Sequence, residues 1–109
     1  MAFNEELALR IRAALSGHDG VVEKKMFGGI AFMLQGNMCV GVTGCDLMVR
    51  VGPNGLDDAM AQPHARPMDF TGRPMKGFVY VEPAGTEKDD SLKRWVQRGV
   101  AFVASLPAK

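Results

Sequence analysis

Residues 25–51, KMFGGIAFMLQGNMCVGVTGCDLMVRV, carry the densest β signal in the chain, both cysteines, four of the eight methionines and a pair of adjacent glycines. Ile30, Phe32 and Leu34 alternate with Ala31, Met33 and Gln35, which puts the two sets on opposite faces of a strand. Gly36 and Asn37 separate this run from the next and fit a two-residue hairpin turn, with glycine supplying the positive φ. Residues 38–43 return as a second strand, and Gly44, Cys45 and Asp46 turn the chain again. In a third strand Leu47, Val49 and Val51 face inward, with Met48 and Arg50 opposite. The stretch therefore predicts a three-stranded antiparallel meander. Residues 21–27 lead into it through Gly28 and Gly29, where paired glycines suggest a bulge or a close approach by other backbone.

Outward from the meander, the periodicity changes. Before it, Asn4 is a good N-cap, and Glu5 and Glu6 suit the positive end of a helix dipole. Phe3, Leu7, Ile11, Ala14 and Leu15 recur at three- and four-residue steps, which predicts one buried helical face. Ser16 and Gly17 are expected to close that helix, with glycine left-handed, and His18, Asp19 and Gly20 to turn the chain. After the meander, residues 52–55 break the sheet and residues 56–62 form a short helix that must stop before Pro63. Residues 64–70 are extended, with prolines that suit an edge; residues 71–74 turn; residues 77–82 are a further strand. The last helix is expected to open near Asp89, Asp90 and Ser91. Leu92, Trp95, Val96, Gly99, Phe102, Val103 and Leu106 mark its buried stripe, and Lys93, Arg94, Gln97 and Arg98 its outer face. The order is α-βββ-α-ββ-α, an α+β arrangement of an antiparallel sheet covered by helices.

A chain of 109 residues suits one domain. Hydrophobic residues at 47% and charged residues at 23% match a globular protein and exclude a disordered one. Thirteen basic against twelve acidic residues leave a formal net charge of +1, so bulk charge does not argue for nucleic acid, although a local basic face would. No basic segment followed by an apolar run opens the chain, and no apolar stretch approaches the roughly 20 residues a membrane helix needs. A cytoplasmic location with reduced thiols and no membrane contact is the expectation.

Cys39 and Cys45 are not a CxxC pair and the two histidines lie far away in sequence, so no metal site is expected. Cys39 reads as a small hydrophobe in a strand, whereas Cys45 sits in a turn where redox sensing is conceivable, though no basic neighbour lowers its pKa. His18 and Asp19 look like an acid–base pair, but adjacent residues at a helix end more often serve turns and caps. No nucleophile elbow, P-loop or dinucleotide fingerprint is present, and Gly28 with Gly29 is too little for a phosphate cradle. No catalytic residue and no cofactor is therefore assigned.

Several of these runs carry a resemblance. KMFGGIAFMLQGNMCVGV, LMVRVGP, ARPMDFTGRPMKGFVYVEP and the helix opening DDSLKRWV resemble the TfoX N-terminal domain over nearly the whole chain. The most specific parts are Met26, Phe27, Gly28 and Gly29, and the run Gly72, Arg73, Pro74, Met75, Lys76 and Gly77. The resemblance implies an α-βββ-α-ββ-α layout similar to secretion chaperones. It also implies a link to TfoX (Sxy), a regulator of competence genes that acts with the cyclic-AMP receptor protein at promoters. This chain resembles the N-terminal domain standing alone. The resemblance brings no catalytic residues with it.

The arginines and lysines give the one functional hint in the residues themselves. Arg66, Arg73 and Lys76 flank a predicted hairpin turn, and Lys88, Lys93, Arg94 and Arg98 line the outer face of the last helix. Arg66 and Arg73 could hold a carboxylate or phosphate by bidentate contacts. The plain alternative has Arg73 paired with Asp69 or turn carbonyls and the helix residues merely solvated. Trp95 reads as core rather than a stacking platform. The leading expectation is a non-enzymatic module that meets a protein partner through hairpin edges or a methionine-rich surface, with a homodimer as one use of such a patch. Direct nucleic-acid binding, with Lys93, Arg94 and Arg98 clustered beside Arg73 and Lys76, is the second. A small enzyme is the third, and no glycine-rich cofactor loop supports it.

Overall fold

The structure is a computed structural model that describes residues 4–18, 20–26, 29–70 and 73–106, without the side chains of Met26, 67–70 and 73–76. Phe27, Gly28 and Gly72 lie outside the described residues. The elements follow in the order α1 (Glu5–Ala14), β1 (Val21–Met26), β2 (Gly29–Leu34), β3 (Asn37–Thr43), β4 (Asp46–Arg50), α2 (Leu56–Met60), β5 (Ala65–Phe70), β6 (Arg73–Val81) and α3 (Asp89–Ala104), with a 3-10 turn at Pro83–Gly85. The strands make one antiparallel sheet in the order β1-β2-β3-β4-β6-β5. The expected α+β class and meander are both present.

Residues 21–26 form a full strand, one more than the hydrophobic pattern predicts, so the order is α-ββββ-α-ββ-α. Glu23, Lys24 and Lys25 hid it. They sit on an edge strand, where exposed charge is normal and blocks edge-to-edge pairing. The β2–β3 turn is Gln35 and Gly36, at φ 52° and 86°, rather than Gly36 and Asn37; Asn37 is buried at the head of β3. Two left-handed central residues are what a tight hairpin requires.

Asn4 caps α1 as expected, its Oδ1 accepting the Leu7 N–H at 3.0 Å. The close of α1 differs: Leu15 ends it, and Gly17 is not left-handed. At the other end of the chain, α3 starts at Asp89 with Lys88 as N-cap and no side-chain capping bond.

One face of the sheet carries the main core. Ile30, Phe32, Leu34, Val40, Val42, Leu47, Val49, Val79 and Val81 pack there against Leu7, Ile11 and Leu15 of α1 and Leu92, Trp95, Val96, Val100 and Val103 of α3. Alternation sends Ala31, Met38, Met48 and Tyr80 to a second, smaller buried cluster, with Met33 and Phe78 packed on it. Met38 and Met48 are therefore interior, and the only large hydrophobics exposed among the described residues are Leu9 and Val22. The methionine-rich docking surface expected from the sequence is not formed by these residues.

A bulge shapes the contact between sheet and α3. Phe32 pairs with Val40 and Met33 with Met38, which leaves Cys39 as the extra residue on β3. Gly28, half of the glycine pair where a bulge is expected, lies outside the described residues. Gly29 serves the alternative purpose of close approach, since a Cβ there would lie 1.8 Å from the Val42 carbonyl oxygen. Because of the bulge, Cys39 and Val40 both join the helix-side core. Gly99 of α3 lies against them: a Cβ on it would be 2.9 Å from the Cys39 carbonyl oxygen, 3.0 Å from Val40 Cγ1 and 3.1 Å from Cys39 Sγ.

This contact yields a reversed substitution effect. Alanine normally improves a helix interior over glycine by about 1 kcal/mol. Gly99→Ala should instead lower the unfolding free energy by about 1–3 kcal/mol, the usual range for overpacking, as measured by urea denaturation. A stabilised variant would contradict the close approach.

Candidate functional site

A groove of about 420 Å³ opens between α3, the 3-10 turn and the segment joining α2 to β5. Lys88 at the N-cap of α3 and Ser91, Arg94, Trp95 and Arg98 within it form one wall. Gln62, Pro63 and His64 form the other, with Ala84, Gly85 and Glu87 at its end. The α3 residues share this side because three- and four-residue steps return a helix to one face. At 1.5 Å rise per residue, Arg94 and Arg98 are about 6 Å apart along the axis.

The far wall is held in an uncommon conformation. His64 has φ 68°, and its carbonyl accepts the Glu82 N–H at 2.9 Å. A left-handed non-glycine residue is uncommon, with histidine among the more tolerant types. Gly85 makes room for it, since a Cβ there would stand 2.9 Å from His64 Cβ and 2.6 Å from Val81 Cγ1. Gln62 Nε2 donates to the Asp58 carbonyl at 3.2 Å, tying the segment to α2.

The cations divide into those with partners and those without. Arg98 Nη1 donates to Asp58 Oδ2 at 2.6 Å, and its guanidinium lies 5.2 Å from the Trp95 ring centroid. Among the described residues, no ion pair or side-chain hydrogen bond engages Lys88, Lys93 or Arg94. Lys88 and Arg94 are exposed along the groove, and Trp95, 5% exposed, forms its floor.

The other predicted contacts are not gathered here. Lys93 faces a separate groove of about 320 Å³ between α1 and α3, beside Arg10 and Asp89. There Arg10 Nη2 donates to the Thr86 carbonyl at 2.7 Å and to Asp89 Oδ1 at 3.0 Å, so it braces the approach to α3. Arg66 pairs with Asp46 and lies 4.7 Å from the Tyr80 ring centroid, an internal brace across the sheet. The backbone of Arg73, Pro74 and Lys76 belongs to β6, and their side chains are outside the described set. Gly77, at φ 82°, marks the point where β6 meets Gly52. Ser91 and His64 are not among the contacts the sequence predicts, Lys88 enters there only as part of the basic outer face of the last helix, and Trp95 reads as core alone. The three-residue step from Trp95 to Arg98 carried a readable signal for the stack; nothing in the sequence announced the turn at His64.

Elsewhere, Arg12 holds Glu23 in a two-pronged contact at 2.5 and 2.6 Å, joining α1 to β1. Those hydrogen bonds keep the Glu23 carboxyl below its ordinary pKa and raise that of Arg12. Asp19, the partner proposed for His18, lies outside the described residues. No group of three metal-ligating side chains occurs among the described residues. Cys45 is exposed, while Cys39 is buried and its thiol pushed up to about 12 by burial.

Sheet, helices and groove define an α+β domain with a cation-lined cleft beside its last helix. The family model described as TfoX N-terminal domain matches residues 13–103, and the chain belongs to that family. No curated protein and no solved structure matches the chain. Among the described residues, no helix is long and apolar enough to cross a membrane.

The two thiols should separate cleanly. In the native protein at mildly alkaline pH, a thiol-exchange dye should modify Cys45 alone, and Cys39 only after denaturation. Cys39 keeps its proton in the fold to about 12, whereas the unfolded thiol releases it near 9. Above that lower value the unfolded state binds fewer protons, so this contribution to stability falls as pH rises. Cys39→Val should lose that part of the alkaline slope. Rapid labelling of both native thiols would contradict the burial.

Proposed function

We propose that the chain is a non-enzymatic interaction module of TfoX type, acting in the cytoplasm in transcription or competence regulation. In this reading its contact with a protein partner is made through the groove beside α3. Family membership supports the regulatory part. The observation that carries the contact is the groove itself, where Lys88 and Arg94 remain unpaired beside the Arg98 and Trp95 stack. Fixed positive charges and hydrogen-bond donors of this kind hold an acceptor-bearing ligand.

Nucleic acid is weaker as a ligand of the same face. Lys93 belongs to the other groove, and Glu87 lines the cleft. The positive charge is thus divided and mixed with carboxylates, where a phosphate backbone favours an unbroken basic track.

The test is a photo-crosslinking residue placed at position 94 in living cells, with position 9 on α1 as control, and transcript profiling of an Arg94→Glu strain. The expected result is a protein adduct at position 94 only, with transcript changes matching those of a deletion at unchanged protein level. Adducts to nucleic acid, or a wild-type transcript profile in Arg94→Glu, would contradict the proposal.

A further inference from the structure

We infer that the groove takes an extended acidic segment of its partner, with carboxylates on alternate residues reaching Arg94 and Arg98, an inference that rests on the interaction reading above. In a strand, alternate side chains on one face are separated by about 6.6 Å. The two arginines are separated by about 6 Å along α3. Lys88, at the N-cap of α3 and on the lining of the same groove, offers a cation to a further carboxylate or the chain terminus. Three cations therefore line one groove, Arg94 and Arg98 along α3 and Lys88 at its N-cap, which suits a single extended chain better than one compact anion.

Asp58 already displays the ligand chemistry. Its side chain is 71% exposed, and one of its oxygens lies on Arg98 Nη1 at 2.6 Å. An exposed ion pair of this kind contributes little net stability, so an incoming carboxylate can replace it at small cost. Arg98 would then stay over the Trp95 ring while exchanging one carboxylate for another. Asp58 thus acts as an internal competitor, set on the short helix α2 beside the cleft. Glu87 limits the acidic register at the end of the groove. Nucleic acid is disfavoured by the same features: Trp95 is 5% exposed with Arg98 over its ring, which leaves no free platform for a base.

The experiment is fluorescence anisotropy with a labelled peptide alternating glutamate and valine. Controls are a glutamine and valine peptide and single- and double-stranded oligonucleotides. The glutamate peptide should bind, the glutamine peptide about tenfold more weakly, and the affinity should fall with salt. Arg94→Glu and Lys88→Glu, both at exposed positions, should each weaken binding by about tenfold, and Asp58→Asn should tighten it. Equal binding of both peptides, no effect of either charge reversal, or tighter binding of an oligonucleotide would overturn the inference. A protein adduct at position 94 without peptide binding would overturn the acidic segment while leaving the interaction module in place. Loss of both would remove the two readings together.

Discussion

Gly99 of α3 lies so near Cys39 and Val40 that a Cβ on it would stand 2.9 Å from the Cys39 carbonyl oxygen, and the position of α3 depends on this approach. A bulge turns two consecutive residues of β3 toward the helix side, and the helix answers with a residue that has no side chain. Once Gly99 is pinned, the period of the helix fixes everything else on α3. Trp95, Val96, Val100 and Val103 enter the core, Lys93 turns toward α1, and Arg94 and Arg98 line the cleft by the 3-10 turn. The cleft is therefore a consequence of packing rather than a feature added to it.

The division of the arginines follows the same geometry. Arg10 ties α1 to the approach to α3, Arg12 ties α1 to β1, and Arg66 ties β5 to the start of β4 through Asp46. Arg50 lies between the rings of Phe78 and Phe102, 5.7 and 5.4 Å from their centroids, where its planar cation joins β4, β6 and α3. These four act as struts. Lys88 and Arg94 brace nothing among the described residues, and Arg98 braces α2 only through an exposed carboxylate. A cation without a structural task, beside a concave surface, is better placed for recognition than one committed to the fold.

Much of the fold was legible because period-two and period-3.6 patterns in the core strands and in α1 and α3 agree with their burial. What escaped was governed by context. β1 carries three consecutive charged residues, and only its place at a sheet edge makes them compatible with a strand. The bulge at Cys39 leaves the local sequence unremarkable, because it arises from register against Phe32 and Met33. The cleft was half legible. Arg94 and Arg98 could be placed on one helical face by counting, but their separation from Lys93 depends on where α1 and α2 dock. His64 was out of reach, since its left-handed turn is set by the distant Gly85.

Trp95 is the only tryptophan of the chain and the floor of the cleft, which makes its indole N–H a single reporter for the site. The measurement that tests the account most directly is an NMR titration of the isotope-labelled protein with an acidic peptide. The account predicts that the Trp95 indole signal and the amides of Ser91, Arg94 and Arg98 shift together and saturate, while Lys93 and β1 stay in place. Shifts centred on Lys93 and Arg10 or on β1, or no saturable shift at Trp95, would contradict it.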